Sequence, residues 1–199
     1  ETLVIYMCGR YALFSKDIIK NKFNIDIKVN YNISPNIYVL VLNNNFDPKM
    51  MKWGLSPAWS KNKLNIINAR SETMYNKSTF KNTYKCIFIA DGYYEWKRDK
   101  GYKRAFYIYR KSSFLYFAGI YDAYSRCCIV TTKSNRSISH IHHRQPMILL
   151  EKDLKSWLEN SYGLNKSNNI ELVIDEVGTK VNNPMNNNKS IIKSINHSS

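Results

Sequence analysis

The chain has little cysteine, few acidic residues and no long apolar run, and each shortage excludes something. Its cysteines are Cys8, Cys86, Cys127 and Cys128. None stands in a Cys-x-x-Cys pair, and the adjacent Cys127 and Cys128 are badly placed to bridge each other, so neither a disulfide framework nor a zinc site is indicated. His140, His142 and His143 cluster without a cysteine or carboxylate at ligand spacing, so no metal or other cofactor is expected. Such cysteine usage fits a reducing, intracellular setting. No stretch reaches the roughly 18 to 20 apolar residues that cross a bilayer. A soluble protein with no membrane partner is expected. No internal repeat is visible, and no Gly-x-Ser-x-Gly segment suggests a serine hydrolase.

Fifteen Asp and Glu stand against 30 Lys and Arg, a formal charge of +15. A chain so basic, with a pI near 9.6, favours a polyanionic partner such as nucleic acid. Its abundance of Asn, Lys, Ile and Tyr matches AT-rich coding, which inflates lysine more than arginine. Arg10, Arg70 and Arg144 therefore carry more weight, and each sits in a distinctive segment. At 199 residues and 23.4 kDa the length suits one domain with its own core.

The most telling local feature is Met7-Cys8. If translation begins at Met7 and that methionine is removed, Cys8 presents an α-amine and a thiol from one residue. With reference values near 8 and 8.5, both are expected to be partly deprotonated at neutral pH. An aldehyde meeting them forms an imine and then closes to a five-membered N,S ring. The competing reading is a small buried cysteine at the start of a strand. Glu1 to Tyr6 precede the pair and lack a signal-peptide core. Because Glu1 is not an initiator, the chain reads as a fragment, an over-extended reading frame or a processed precursor. Residues 1–6 are expected to be absent from the mature protein.

Tyr38–Leu42 is a β-rich apolar run. Further strands are expected at Cys86–Ala90, Phe106–Arg110, Phe114–Ile120, Cys127–Thr132, Met147–Leu150 and Leu172–Val177. Ser15, Asp17 and the Ile18, Ile19, Phe23 pattern predict a short capped helix. Leu154, Trp157 and Leu158 predict another over Glu151–Asn160. Strands outnumber helices without βαβ alternation. The expected fold is therefore α+β, a single domain on curled, mostly antiparallel, barrel-like sheet with a few peripheral helices. The domain is expected to span residues 7–183, followed by an irregular Asn-rich tail over 184–199.

Four polar segments interrupt this strand-like sequence: Met7-Cys8-Gly9-Arg10, Asn68-Ala69-Arg70-Ser71-Glu72, Ala90-Asp91-Gly92-Tyr93-Tyr94-Glu95-Trp96 and Ile141-His142-His143-Arg144-Gln145-Pro146. Lys52-Trp53-Gly54-Leu55-Ser56-Pro57-Ala58-Trp59 lies between the first two. Together with Phe117-Ala118-Gly119-Ile120-Tyr121, Ile129-Val130-Thr131-Thr132 and Thr179-Lys180-Val181-Asn182-Asn183, in this order, they resemble the SRAP family, the SOS response-associated peptidases. The resemblance covers almost the whole chain. Gln145 departs from the apolar or basic residue the family commonly carries before the proline.

The resemblance implies a DNA-repair sensor that captures abasic sites in single-stranded DNA through a thiazolidine at Cys8, after self-processing of the initiator methionine, with possible lyase activity. It implies abasic single strands as partner, single-strand/double-strand junctions and replication-associated proteins as further candidates, a monomer, and a place in the nucleus or a DNA-containing organelle of a eukaryote, otherwise the cytoplasm. Glu95 and His142 match the family's acid and histidine, with His142 preferred over His143 on the Ile-His-x-Arg pattern. Asn68 has an amide suited to the sugar oxygen or the cysteine amine, or is a turn residue. Arg10, Arg70 and Arg144 are candidate phosphate holders, or solvated surface charge. Thr131 joins them as a candidate DNA contact. Trp53 is read either as a base-stacking residue or as core; Trp59, Trp96 and Trp157 are read as core. Two other functions compete: a non-covalent reader of modified bases, and a cysteine protease acting in trans.

Overall fold

A computed structural model describes residues 8–57, 59–60, 64–164 and 170–197. The expectations for residues 1–6 and for Met7 lie outside the described residues. In chain order the elements are β1 (Tyr11–Leu13), α1 (Lys16–Phe23), β2 (Asn30–Ile33), β3 (Tyr38–Leu42), β4 (Pro48–Trp53), β5 (Asn68–Arg70), β6 (Tyr84–Ala90), β7 (Gly92–Asp99), β8 (Tyr102–Tyr109), β9 (Leu115–Tyr121), β10 (Arg126–Lys133), β11 (Arg144–Pro146), β12 (Ile148–Leu149), α2 (Leu154–Leu158) and β13 (Val173–Val177). Short 3-10 turns occupy several of the connections. The α+β, mostly antiparallel architecture is the expected one.

Five strands close a ring, because β10 pairs with β4 and β9, β4 with β3, β3 with β6, and β6 with β9. A closed sheet leaves no hydrogen-bonding edge within the ring. Only the pairings of β10 with β4 and β5 are parallel. The second sheet runs β13-β8-β7-β1-β2 and is antiparallel throughout. Apolar runs such as Val39-Leu40-Val41-Leu42 and Cys86 to Ala90 are buried on both faces, as expected for strands covered from inside and outside. Tyr11 brings the second sheet onto the barrel, its ring 5.4 Å from Trp53 and 6.3 Å from Phe117. Burying each of these large side chains contributes on the order of 1.5–3 kcal/mol.

The passage from β6 to β7 transfers the chain from the barrel to the second sheet, and two residues set it. The Asp91 carboxylate accepts from the Phe14 and Ser15 amides and the Ser15 hydroxyl. Ser15 therefore makes no side-chain cap bond to α1, unlike the expected capped start. A Cβ on Gly92 would lie 2.5 Å from the Tyr107 ring and hydroxyl, so only glycine lets β7 pass so close to β8. Beyond it, side chains alternate. Tyr93 joins the barrel-side core, and Tyr94 and Trp96 pack in the smaller apolar cluster behind. Two positions on from Tyr93, Glu95 takes the same face and is buried.

The helix expected over Glu151–Asn160 is shorter, a 3-10 turn at Glu151–Asp153 leading into α2. The Asn-rich segment packs against the second sheet through 3-10 turns, with Ile191 buried and Asn187 accepting from the Tyr31 amide. All four cysteines are free and buried.

Candidate functional site

Cys8 lies three residues before β1, buried, with φ of 45°. Its amide nitrogen donates to Glu95 Oε2 at 3.4 Å, and its Sγ lies 3.8 Å from the same oxygen. Only 3% exposed, Glu95 has its carboxyl pushed up to about 7 by burial, against the opposing pull of the Trp96 and Cys8 amides. Burial first, and Glu95 second, raise the Cys8 thiol well above its ordinary range. The expectation of a partly ionised thiol at neutral pH is thereby corrected. The pair consists of a protonated thiol and a carboxyl that titrates near neutrality. A proton leaving nitrogen or sulfur of Cys8 has an acceptor in contact.

Beside this pair opens a cavity of about 660 Å³, whose lining includes Gly9, Arg10, Glu95, Trp96, His142 and His143. His142 Nδ1 lies 3.1 Å from both the amide nitrogen and the carbonyl oxygen of Arg144. Burial lowers the His142 pKa, so the ring is neutral at pH 7. His142 and His143 follow a turn rather than an extended strand. Their rings lie side by side, centroids 4.4 Å apart, and both line the cavity. The alternation of a strand does not apply here, so neighbouring positions 142 and 143 reach the same cavity.

The remaining candidates separate into two groups. Arg10 lines the cavity and donates to Asn32 Oδ1 at 2.8 Å and the Val181 carbonyl at 2.9 Å. Arg70 on β5 is exposed and has no ion pair among the described residues. Asn68 Nδ2 is buried without a hydrogen-bond partner, a donor left over for something the chain does not supply. By contrast, Arg144 is buried and donates to both Glu72 carboxylate oxygens at 2.6 and 2.9 Å, and to the Thr131 carbonyl and hydroxyl. Its Nη1 and Nη2 are taken by protein acceptors while its buried Nε has no partner, so in place of the expected phosphate the guanidinium holds a structural ion pair with Glu72. Thr131, at 0% exposure, is an acceptor in that pair rather than a surface DNA contact. Trp53 is equally buried, its Nε1 donating to the Ile67 carbonyl at 3.1 Å, which settles its two readings in favour of core. Trp157 is core as well, while Trp59 is 62% exposed, against expectation.

Sequence reading passed over Glu72, Asn65, Arg98 and Lys103. The signal for Glu72 was present in Arg70-Ser71-Glu72, but nothing local pairs it with a residue 72 positions away. Asn65 lines the cavity with its Oδ1 where a Cβ on Gly54 would fall. Among the described residues no His, Cys, Asp and Glu side chains group as metal ligands, and no helix is long and apolar enough to cross a membrane.

Residues 7–184 match the family described as SOS response associated peptidase (SRAP). The chain belongs to the SRAP family. Among its SRAP relatives, the abasic site processing protein YoqW of Bacillus subtilis is 34% identical over 223 residues, covering 94% of this chain and all of that protein. The abasic site processing protein HMCES of Gallus gallus is 30% identical over 148 residues, covering 55% of this chain and 44% of that one. A solved protein from Bacteroides thetaiotaomicron shares the fold, with a TM-score of 0.71 at 23% identity over 94% of this chain and 92% of its own.

Proposed function

We propose that this SRAP protein processes abasic sites in single-stranded DNA by covalent capture at Cys8. The observation that carries the reading is the contact of the Cys8 nitrogen and sulfur with one carboxylate oxygen of Glu95, beside a cavity lined by His142 and Arg10. The names of the YoqW and HMCES relatives support the substrate. In a chain that begins at Cys8, the nitrogen 3.4 Å from Glu95 is an α-amine.

The ring-opened sugar presents an aldehyde. The amine adds to its carbon, and loss of one water gives an imine. The thiol sulfur then adds to the same carbon while its proton passes to the nitrogen, closing the thiazolidine. The net change is aldehyde plus aminothiol to thiazolidine plus water. Glu95 carboxylate takes the proton that the attacking nitrogen sheds and returns it to the departing oxygen, and it then relays the thiol proton to the ring nitrogen as the sulfur adds. Neutral His142 is the second proton carrier, both for hydrolysis of the Met7–Cys8 peptide bond and for reopening of the ring. Closing the ring removes the iminium that otherwise promotes β-elimination at the 3′ phosphate.

The test uses protein with Cys8 as its first residue, incubated with abasic and intact single strands and resolved on denaturing gels. An SDS-resistant adduct with the abasic strand alone is expected, lost in Cys8→Ala and in chains that retain Met7. A shift in native gels without any such adduct would sink the reading and leave a non-covalent DNA-binding protein.

A further inference from the structure

The β7–β8 hairpin turns on Lys100 and Gly101, with φ of 43° and 88°. Two successive residues with positive φ are the signature of the tight turn that matches strand twist. The turn fixes the register, which sets Asp99 against Tyr102 and Arg98 directly against Lys103. Like charges facing each other across a strand pair are destabilising. Glu95 is the carboxyl that acts on Lys103, from a distance and without an ion pair. The Lys103 Nζ lies 4.7 Å from the Trp96 ring centroid, and the Arg10 guanidinium 5.8 Å from the same ring. All three cations line the cavity that holds Glu95 and His142.

No carboxylate forms an ion pair with Arg10, Arg98 or Lys103 among the described residues. Arg10 is held by two neutral acceptors, Asn32 Oδ1 and the Val181 carbonyl. The next residue on β8 behaves differently. Arg104, pointing to the other face of the hairpin by strand alternation, is matched by Glu176. The hairpin neutralises the cation that faces away and leaves unneutralised the two that face the cavity. Burial, Arg98 and Arg10, in that order, pull the Lys103 pKa down against a smaller opposing pull from Glu95, as a net positive field requires.

We propose that Arg98 and Lys103, with Arg10 behind them, form a phosphate site that holds the backbone of the captured strand beside the abasic sugar. This inference rests on the capture reading above. Phosphate contacts fix position and register without reading sequence, which suits a lesion that has no base to read. Trp96 is the platform that keeps the two chain segments together. Its Nε1 donates to Asn182 Oδ1 at 2.8 Å, so it is anchored from behind while cations occupy its ring.

The experiment measures binding of intact single-stranded DNA against salt for wild type, Arg98→Gln, Lys103→Gln, the double variant and Arg104→Gln. The substituted side chains are exposed, and thermal midpoints level with wild type, or above it where the Arg98–Lys103 repulsion is relieved, verify folding. The double variant is expected to flatten the log–log salt slope by roughly 0.7 for each phosphate it no longer neutralises and to weaken binding several-fold at low salt. Arg104→Gln should keep the wild-type slope. On abasic DNA, the double variant should reach a near wild-type adduct rate only at higher DNA concentration. A wild-type slope in the double variant overturns the proposal, as does an equal loss in Arg104→Gln, which would reduce the effect to net charge. If wild type forms no SDS-resistant adduct, the capture reading fails by itself, and the slopes still decide on the phosphate site.

Discussion

Glu95→Gln should make the protein slower and more stable at once, and both effects should depend on pH. Burial holds the Glu95 carboxyl at about 7, against an ordinary value of 4.5. A carboxyl raised on folding favours the protonated chain. Its contribution is fully present below pH 4.5 and is lost as pH climbs through about 7. The difference corresponds to at most ~3 kcal/mol, at ~1.4 kcal/mol per pH unit. Glutamine has the shape without the charge and is spared that loss. At ~2–4 °C per kcal/mol for a chain of this size, Glu95→Gln should melt several degrees above wild type at alkaline pH and level with it in acid. Catalysis should move the other way. If carboxylate at residue 95 accepts the Cys8 proton, the wild-type adduct rate should climb about tenfold from pH 6 to pH 8, following the ionised fraction of a group titrating near neutrality. The variant should lose roughly 10²- to 10⁴-fold in rate and lack that step. Quench-flow adduct kinetics and thermal melts over the same pH series supply both readouts. A wild-type to variant rate ratio that does not change with pH would refute the proton-acceptor role, and a melting gap that persists in acid would refute the burial argument.

Three further outcomes concern binding and stability, and a fourth concerns reversal. Arg144→Ala removes the donor that satisfies Glu72 and the Thr131 carbonyl and hydroxyl, so urea titration should register a loss of about 1–3 kcal/mol, whereas the salt slope of DNA binding stays at the wild-type value. Arg70→Ala should do the reverse, flattening that slope by roughly 0.7 at unchanged stability, because its side chain is exposed and unpaired. Gly54→Ala should unfold the local turn or lower the melting point, since φ is +137° and the new Cβ would fall 1.8 Å from Asn65 Oδ1; an unaltered melting curve would mean that Asn65 moves freely. His142→Ala should slow the exchange of a preformed adduct onto competing abasic DNA more than His143→Ala, since only His142 has its ring nitrogen fixed against the Arg144 backbone.

Continuous apolar runs made most of the barrel legible. Tyr38–Leu42 stands in the structure as β3 with the expected limits, and the runs at 86–90, 114–120 and 127–132 are the cores of β6, β9 and β10. The strand that carries Glu95 was not legible, because Gly92-Tyr93-Tyr94-Glu95-Trp96 mixes glycine, aromatics and an acid without clean alternation, and both of its faces are covered. Burial by tertiary packing also decided what the residue types left open. Trp53 and Thr131 look suited to DNA in sequence, yet each lies at 0% exposure. Arg144 has the same guanidinium as Arg70, but Glu72 takes its two terminal nitrogens. Asn65, Arg98 and Lys103 were missed because their place at the cavity depends on a turn at Gly54 and on the hairpin register, neither of which a residue type announces.

The bond from Arg10 to the Val181 carbonyl joins positions 171 residues apart. During synthesis Arg10 emerges first, and the carbonyl that holds it follows 171 positions later. A ribosome adding about 5–20 residues per second needs on the order of ten seconds or more to cover that span. Throughout that interval the cavity lacks a wall, however early the barrel begins to collapse. Completion of the cavity is thus timed by the arrival of Val181, and until then a nascent chain has no finished pocket beside Cys8.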